Sequence, residues 1–173
     1  MSRFPLVLVL GGARSGKSTF ALARARSFGR SLVYLATAEA GDDEMAARIA
    51  RHRAERGEEW RTIEERLAIA PILRAEQGKT IVVDCLTIWL ANLMGDEVEA
   101  TARIDGALAD LLSALAERQS AIIAVSNEVG LGIVPDHPLG RAFRDAAGLM
   151  NQKVAEVAGE VYLLVAGQPL RVK

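Results

Sequence analysis

Cysteine is almost missing from this chain: Cys85 is the only one in 173 residues. A single thiol excludes an internal disulfide framework and a multi-cysteine zinc site. Aromatic residues amount to 5%, too few for platforms that stack nucleic-acid bases. An excess of charge of one sign is lacking too. Lys and Arg number 21 against 22 Asp and Glu, for a formal net charge of −1, and the pI lies near 6.2. No overall basic field then draws a nucleic-acid backbone or an anionic membrane. The apolar stretch from Phe4 to Ala13 is too short to span a bilayer, and the start shows no basic leader with a small-residue cleavage site. Linkers, repeats and low-complexity tracts are absent. What is present is apolar: 50% hydrophobic residues and a mean hydropathy of +0.16. That is enough buried surface to offset the entropy of ordering, which excludes intrinsic disorder. The length fits one domain spanning residues 1–173, expected to be soluble and cytoplasmic.

Short apolar runs recur at Pro5–Leu10, Ser31–Ala36, Thr80–Asp84, Ala121–Ser126 and Val161–Val165. Runs of this kind read as strands buried on both faces, as in a parallel sheet. Between them lie stretches with helical spacing over Lys17–Arg26, Asp43–Arg56, Ile104–Arg118 and Leu139–Ala158. In the last, Leu139, Phe143, Ala146, Met150, Val154 and Val157 form one stripe. The alternation predicts a three-layer α/β fold. The tail reads as a hairpin around a Gly167-Gln168 turn, with Pro169 placing the last strand at an edge. Gly11, Thr37, Asp84 and Asn127 then fall at the C-terminal ends of strands, where open parallel sheets bind ligands.

One motif stands at the first of those ends. Gly11-Gly12-Ala13-Arg14-Ser15-Gly16-Lys17-Ser18 fits G-x-x-x-x-G-K-[ST] after a strand and before a helix. Small residues let backbone N–H groups curl around phosphate oxygens, and the helix start adds partial positive charge. Lys17 reaches the β- and γ-phosphates and the Ser18 hydroxyl binds magnesium (Mg²⁺). Asp84, ending the strand Thr80–Asp84, suits the acid that completes the metal site. Cys85 beside it reads as a packed small apolar residue.

The stretch from Asp42 to Glu64 is dense in charge and holds His52, one of two histidines. On a helix, His52 sits between a polar face (Glu44, Arg48, Arg51, Glu55) and a Met45/Ile49 stripe. Arg53 and Arg56 have the fork geometry that binds phosphate. Neutral imidazole can attack phosphorus, but the spacing alone serves a surface histidine equally well. His137, before the long helix, reads as a helix-start residue.

Several segments in order along the chain carry a family resemblance: GGARSGKS, YLATAEA, DDEMAARIARHR, EWRTIEE, VVDCLTIWLANL and SNEVGLGIVPDHPLGRAFRDAAGLMNQ. The chain resembles the bifunctional adenosylcobinamide kinase / adenosylcobinamide-phosphate guanylyltransferases of cobalamin biosynthesis, over nearly its whole length. The resemblance implies two reactions. ATP or GTP phosphorylates adenosylcobinamide, and GTP then transfers GMP to adenosylcobinamide-phosphate through a guanylyl-histidine. The family pattern R-I-x-x-H falls on Arg48-Ile49-Ala50-Arg51-His52, making His52 the nucleophile beside the catalytic Lys17. Some relatives carry two adjacent histidines here; this sequence has Arg51 and His52. The implied nucleotide contacts are Gly11, Gly12, Ala13, Arg14, Ser15, Gly16, Lys17, Ser18 and Thr19, then Thr37, Ala38 and Glu39. Arg53, Glu55, Arg56, Glu64 and Asp84 complete the set, with Ser18 and Asp84 as metal ligands. Asp84 stands where relatives can carry Glu. A homo-oligomer, specifically a homotrimer, is implied as well. The expected fold is a three-layer, P-loop NTPase-like (RecA-like), mainly parallel sheet flanked by helices with a C-terminal hairpin. Two other readings stay open on the residues alone. One is a small-molecule kinase with a structural His52. The other is a nucleotide switch, against which the chain lacks the guanine-reading N-K-x-D motif.

Overall fold

Apolar segments with no polar face build the centre of the molecule. The computed structural model describes residues 3–29, 31–39, 57–96 and 100–173; the helix expected over Asp43–Arg56 lies outside them. In chain order the elements are β1 (Leu6–Gly11), α1 (Lys17–Arg26), β2 (Leu32–Ala36), β3 (Trp60–Glu64), α2 (Ile69–Ala75) and β4 (Thr80–Asp84). There follow α3 (Leu86–Met94), α4 (Thr101–Ala116), β5 (Ala121–Val125), α5 (Pro138–Val157), β6 (Glu160–Val165) and β7 (Gln168–Arg171). The strands form one sheet in the order β3-β2-β4-β5-β1-β6-β7, parallel throughout except for β7.

Alternation along each strand divides the core in two. Leu6, Leu8, Val33, Leu35, Ile81, Val83, Ile122 and Ala124 pack with residues of α2, α3, α4 and α5. Val7, Val9, Tyr34, Val82, Ile123 and Val125 pack with Ala21, Leu22 and Ala25 of α1. Because both faces are covered, the central strands are apolar along most of their length. This is the three-layer RecA-like arrangement.

The structure departs from the sequence reading at particular elements. The segment VVDCLTIWLANL, whose start is the expected strand Thr80–Asp84, goes on into a helix that the sequence reading did not include: β4 ends at Asp84 and Leu86–Met94 is helical. Leu86, Trp89, Leu90 and Leu93 are all buried there, so the segment is apolar around most of its circumference and shows no period. Strand β3 was hidden in the charged stretch, since an edge strand carries Arg61 and Glu64 outward. Helix α2 is only seven residues long, too short for a periodic signal. On α5, Val157 at the end of the expected stripe is exposed, and Ala147 and Asn151 are buried instead. The hairpin turn is Ala166-Gly167, one residue earlier than expected. Val165 pairs with Gln168, and both turn residues have positive φ, 50° and 79°, as a two-residue type I′ turn requires.

Substituting Leu90→Ala, at a side chain with no solvent exposure, is expected to cost about 2–5 kcal/mol of unfolding free energy. Leu170→Ala, 60% exposed on β7, should stay within about 0.5 kcal/mol. Urea unfolding of both variants is the check.

Candidate active site

Register carries the candidate residues to one edge. Glu64, Ala36, Asp84 and Val125 align across β3, β2, β4 and β5, and Val125 is level with Val9 of β1. Strand β1 runs on to Gly11, where the phosphate loop departs. Its curl closes with the Ser15 N–H donating to the Gly12 carbonyl at 3.4 Å. Gly16 caps α1 with φ of 93°, and the first turn holds no acidic side chain. The partial positive charge of this helix start is therefore not neutralised from within. Arg14 sits exposed at the loop crest with φ of 54°, and Thr19 is exposed on the first turn.

Lys17, first in α1, is buried, and its Nζ donates to the Gly12 carbonyl at 2.5 Å. One residue on, the Ser18 hydroxyl donates to Asp84 Oδ2 at 2.9 Å. The same carboxylate oxygen accepts from the Tyr34 hydroxyl at 2.6 Å. The loop helix, the acid strand and β2 thus converge on one oxygen. Tyr34 escaped the sequence reading because it is a single hydroxyl in an apolar strand, 50 residues from Asp84.

Two of the loop's glycines answer to the C-terminal hairpin. A Cβ on Gly11 would lie 2.6 Å from Ser15 Oγ and 2.7 Å from the Leu164 carbonyl oxygen, and one on Gly16 would lie 3.2 Å from Gly167 Cα. The Gly167 N–H also donates to the Ser15 carbonyl at 3.0 Å. From the β5 side, the Glu128 N–H donates to the Gly11 carbonyl at 3.0 Å. The loop is held between two neighbouring strand ends.

Thr37 is fully buried. Its hydroxyl donates to the Cys85 carbonyl and accepts from the Cys85 N–H, both at 2.8 Å, while Asn92 Nδ2 donates to the Thr37 carbonyl. It braces the turn after Asp84. Ala38 is half-buried. Glu39 is exposed and ion-paired with Arg66, and Glu64 is exposed at the end of β3. His52, Arg53, Glu55 and Arg56 lie outside the described residues. Past β5, the Asn127 N–H donates to Thr87 Oγ1 at 2.6 Å and its carbonyl accepts from Asn151 Nδ2 at 3.2 Å. Arg141 donates to the carbonyls of Pro135 and Asp136. His137 caps the start of α5 by position, with Pro138 following. Burial first, and the Asp84 charge second, push the Cys85 thiol up to about 11, so it stays protonated and inert near neutrality.

Ser18 Oγ and Asp84 Oδ2 are hard oxygen donors placed together, a set that fits Mg²⁺, which binds few protein oxygens and draws the rest from phosphate and water. Among the described residues no cluster of three or more His, Cys, Asp or Glu is placed to hold a metal. None of their helices is long and apolar enough to cross a membrane.

A family model described as cobinamide kinase / cobinamide phosphate guanyltransferase matches residues 7–172. The chain is 49% identical over 168 residues to the bifunctional adenosylcobalamin biosynthesis protein CobP of Pseudomonas aeruginosa, covering 96% of each. It is 38% identical over 181 residues to the bifunctional adenosylcobalamin biosynthesis protein CobU of Escherichia coli, covering 97% of this chain and 99% of that one. Among solved structures, the flagellar accessory protein FlaH from Methanocaldococcus jannaschii is similar at 13% identity and a TM-score of 0.52, covering 98% of this chain and 78% of that one. An ATPase domain matches at 18% identity and the same TM-score of 0.52, covering 94% and 70%. At such identities the structural likeness concerns the fold.

Gly11→Ala is expected to cost about 1–3 kcal/mol of stability, since φ of 151° and two contacts below 3 Å both oppose a Cβ. Gly12→Ala, with open space around its Cβ, should change stability by under about 0.5 kcal/mol; thermal melts separate the two. A thiol reagent at pH 8 should label Cys85 at least about tenfold faster in denaturant than in the folded protein, because burial keeps the folded thiol neutral. Mass spectrometry over a time course reads that ratio.

Proposed function

The chain belongs to the cobinamide kinase / cobinamide phosphate guanyltransferase family, and from that premise we propose that it phosphorylates adenosylcobinamide with ATP or GTP and then transfers GMP from GTP to adenosylcobinamide-phosphate. The observation that carries the nucleotide chemistry is the Ser18–Asp84 contact at 2.9 Å, one residue from Lys17. It puts a hydroxyl, a carboxylate and an ammonium at the mouth of one loop. Mg²⁺ held by Ser18 and Asp84 supplies charge neutralisation at the triphosphate.

In the kinase step, the substrate hydroxyl oxygen bonds to the γ-phosphorus and the β–γ bridge breaks. The nucleoside diphosphate leaves, and the hydroxyl proton passes to solvent or a base. Lys17 and the loop amides hold the phosphates in line and meet the charge on their oxygens. In the second reaction, a neutral imidazole nitrogen of His52 attacks the α-phosphorus of GTP. An N–P bond forms, the bond to the β-phosphate oxygen breaks and pyrophosphate leaves. A phosphate oxygen of adenosylcobinamide-phosphate then attacks the same phosphorus, the P–N bond breaks, and adenosylcobinamide-GDP is released with His52 restored. Dividing the transfer spares the site from holding GTP and a bulky corrinoid together. Arg53, Glu55, Arg56, Thr37, Ala38, Glu39 and Glu64 belong to the nucleotide side of this reading, as does a homotrimer working in the cytoplasm.

GTP labelled at the α-phosphate, incubated with the protein and Mg²⁺, should leave acid-labile, alkali-stable label on the denatured chain. His52→Ala should abolish it while adenosylcobinamide phosphorylation persists. Label remaining on His52→Ala overturns the histidine route. Asp84→Asn should lower both activities by about 10²-fold or more.

A further inference from the structure

After β5 the chain leaves the phosphate loop's side through a segment that is tightly held yet ends in bare aliphatic side chains. Glu128 donates its N–H to the Gly11 carbonyl, and its Oε1 accepts the Gly130 N–H at 2.8 Å. A Cβ on Gly130 would stand 2.9 Å from that same oxygen. Arg144 of α5 donates to the Gly130 carbonyl at 2.7 Å. On the return path, Arg141 grips the carbonyls of Pro135 and Asp136 at 3.1 and 2.6 Å. Pro135 lies over Gly140, where a Cβ would be 2.9 Å from the proline ring. Between these clamps Leu131 is 83% exposed, Ile133 97% and Val134 58%. Two arginines thus fix both ends of a loop whose apolar tip touches little of its own chain. Exposed aliphatic side chains grouped on an ordered segment mark a contact site.

We propose that Leu131, Ile133 and Val134 form the seat for the apolar face of the corrin ring, beside the loop where its side-arm hydroxyl and then its phosphate react. This rests on the substrate reading above and adds which surface meets the corrinoid. Reach supports it: Leu131 is three residues past Glu128, hence at most about 10 Å along the chain from a residue bonded to the phosphate loop. Size does too. A stable subunit contact buries roughly 800 Å² per partner, far more than three aliphatic side chains supply by themselves, whereas one face of a methyl-studded macrocycle needs only a patch of that smaller size. The amide arms of a corrinoid would meet the peptide groups of this glycine-rich tip.

The double variant Leu131→Ser/Ile133→Ser tests it, with Val157→Ser, an exposed position at the far end of α5, as control. Adenosylcobinamide binding is followed by its visible absorption and by kinase KM. Self-labelling by α-labelled GTP without corrinoid, GTP KM and sedimentation are measured in parallel. The double variant should raise the adenosylcobinamide KM and Kd at least about tenfold, leaving self-labelling, GTP KM, mass and melting temperature as in wild type. Val157→Ser should match wild type throughout. Unchanged corrinoid affinity overturns the proposal, as does a fall in mass, which would assign the tip to a second copy of this chain. Wild-type protein that never phosphorylates adenosylcobinamide would instead overturn the functional reading, and this inference with it.

Discussion

Asp84 Oδ2 accepts from Ser18 at 2.9 Å and from Tyr34 at 2.6 Å, and the edge of the sheet is organised around that oxygen. Strand β4, which carries the acid, is not the neighbour of β1, which carries the loop; β5 lies between them. Ser18 bridges that gap because α1 packs over β5 and β4 with Ala21, Leu22 and Ala25 buried among Val82, Ile123 and Val125. A hydrogen bond to a charged acceptor in a half-buried site is stronger than one between neutral groups. Removing the acid would take a shared acceptor from both hydroxyls, so the metal-binding role proposed for Asp84 and its structural role are joined.

The turn after Asp84 shows the same economy. Thr37 uses its hydroxyl twice on the Cys85 backbone, and Asn92 of α3 reaches back to the Thr37 carbonyl. The ends of β2 and β4 are therefore locked together by side-chain-to-backbone bonds, which satisfy polar groups that would otherwise be buried unpaired. Trp89 on the same helix donates its indole N–H to the Leu67 carbonyl at 2.8 Å. Helix α3 serves as a peg behind the site.

The phosphate loop is likewise shaped by elements distant in sequence. The glycines at the first and sixth positions of its motif, Gly11 and Gly16, face Leu164 and Gly167. The motif's small residues thus serve packing as well as approach to phosphate. The hairpin tip, with its positive-φ pair Ala166 and Gly167, delivers the N–H that holds Ser15. On the opposite flank Glu128 holds Gly11, and the segment it begins carries the exposed aliphatic tip.

Much of this was legible in the chain itself. Strands covered on both faces are apolar along most of their length, so β1, β2, β4 and β5 announce themselves, and β6 follows with its own apolar run. The loop motif is a local pattern in which strand, glycines, lysine and serine follow one another within a few residues. Such features depend on near neighbours, and the sequence alone determined them, along with the family. Elements β3, α2 and α3 were not legible, because an edge strand tolerates charge, a seven-residue helix has too few turns for a period, and a helix buried nearly all round has no polar face. The Tyr34–Asp84 bond, the two-sided use of Thr37 and the hairpin's grip on Gly16 join residues 48 to 151 positions apart. Strand order and register decide which of those residues meet, and both are set by how the whole core packs, so only the tertiary structure could place them.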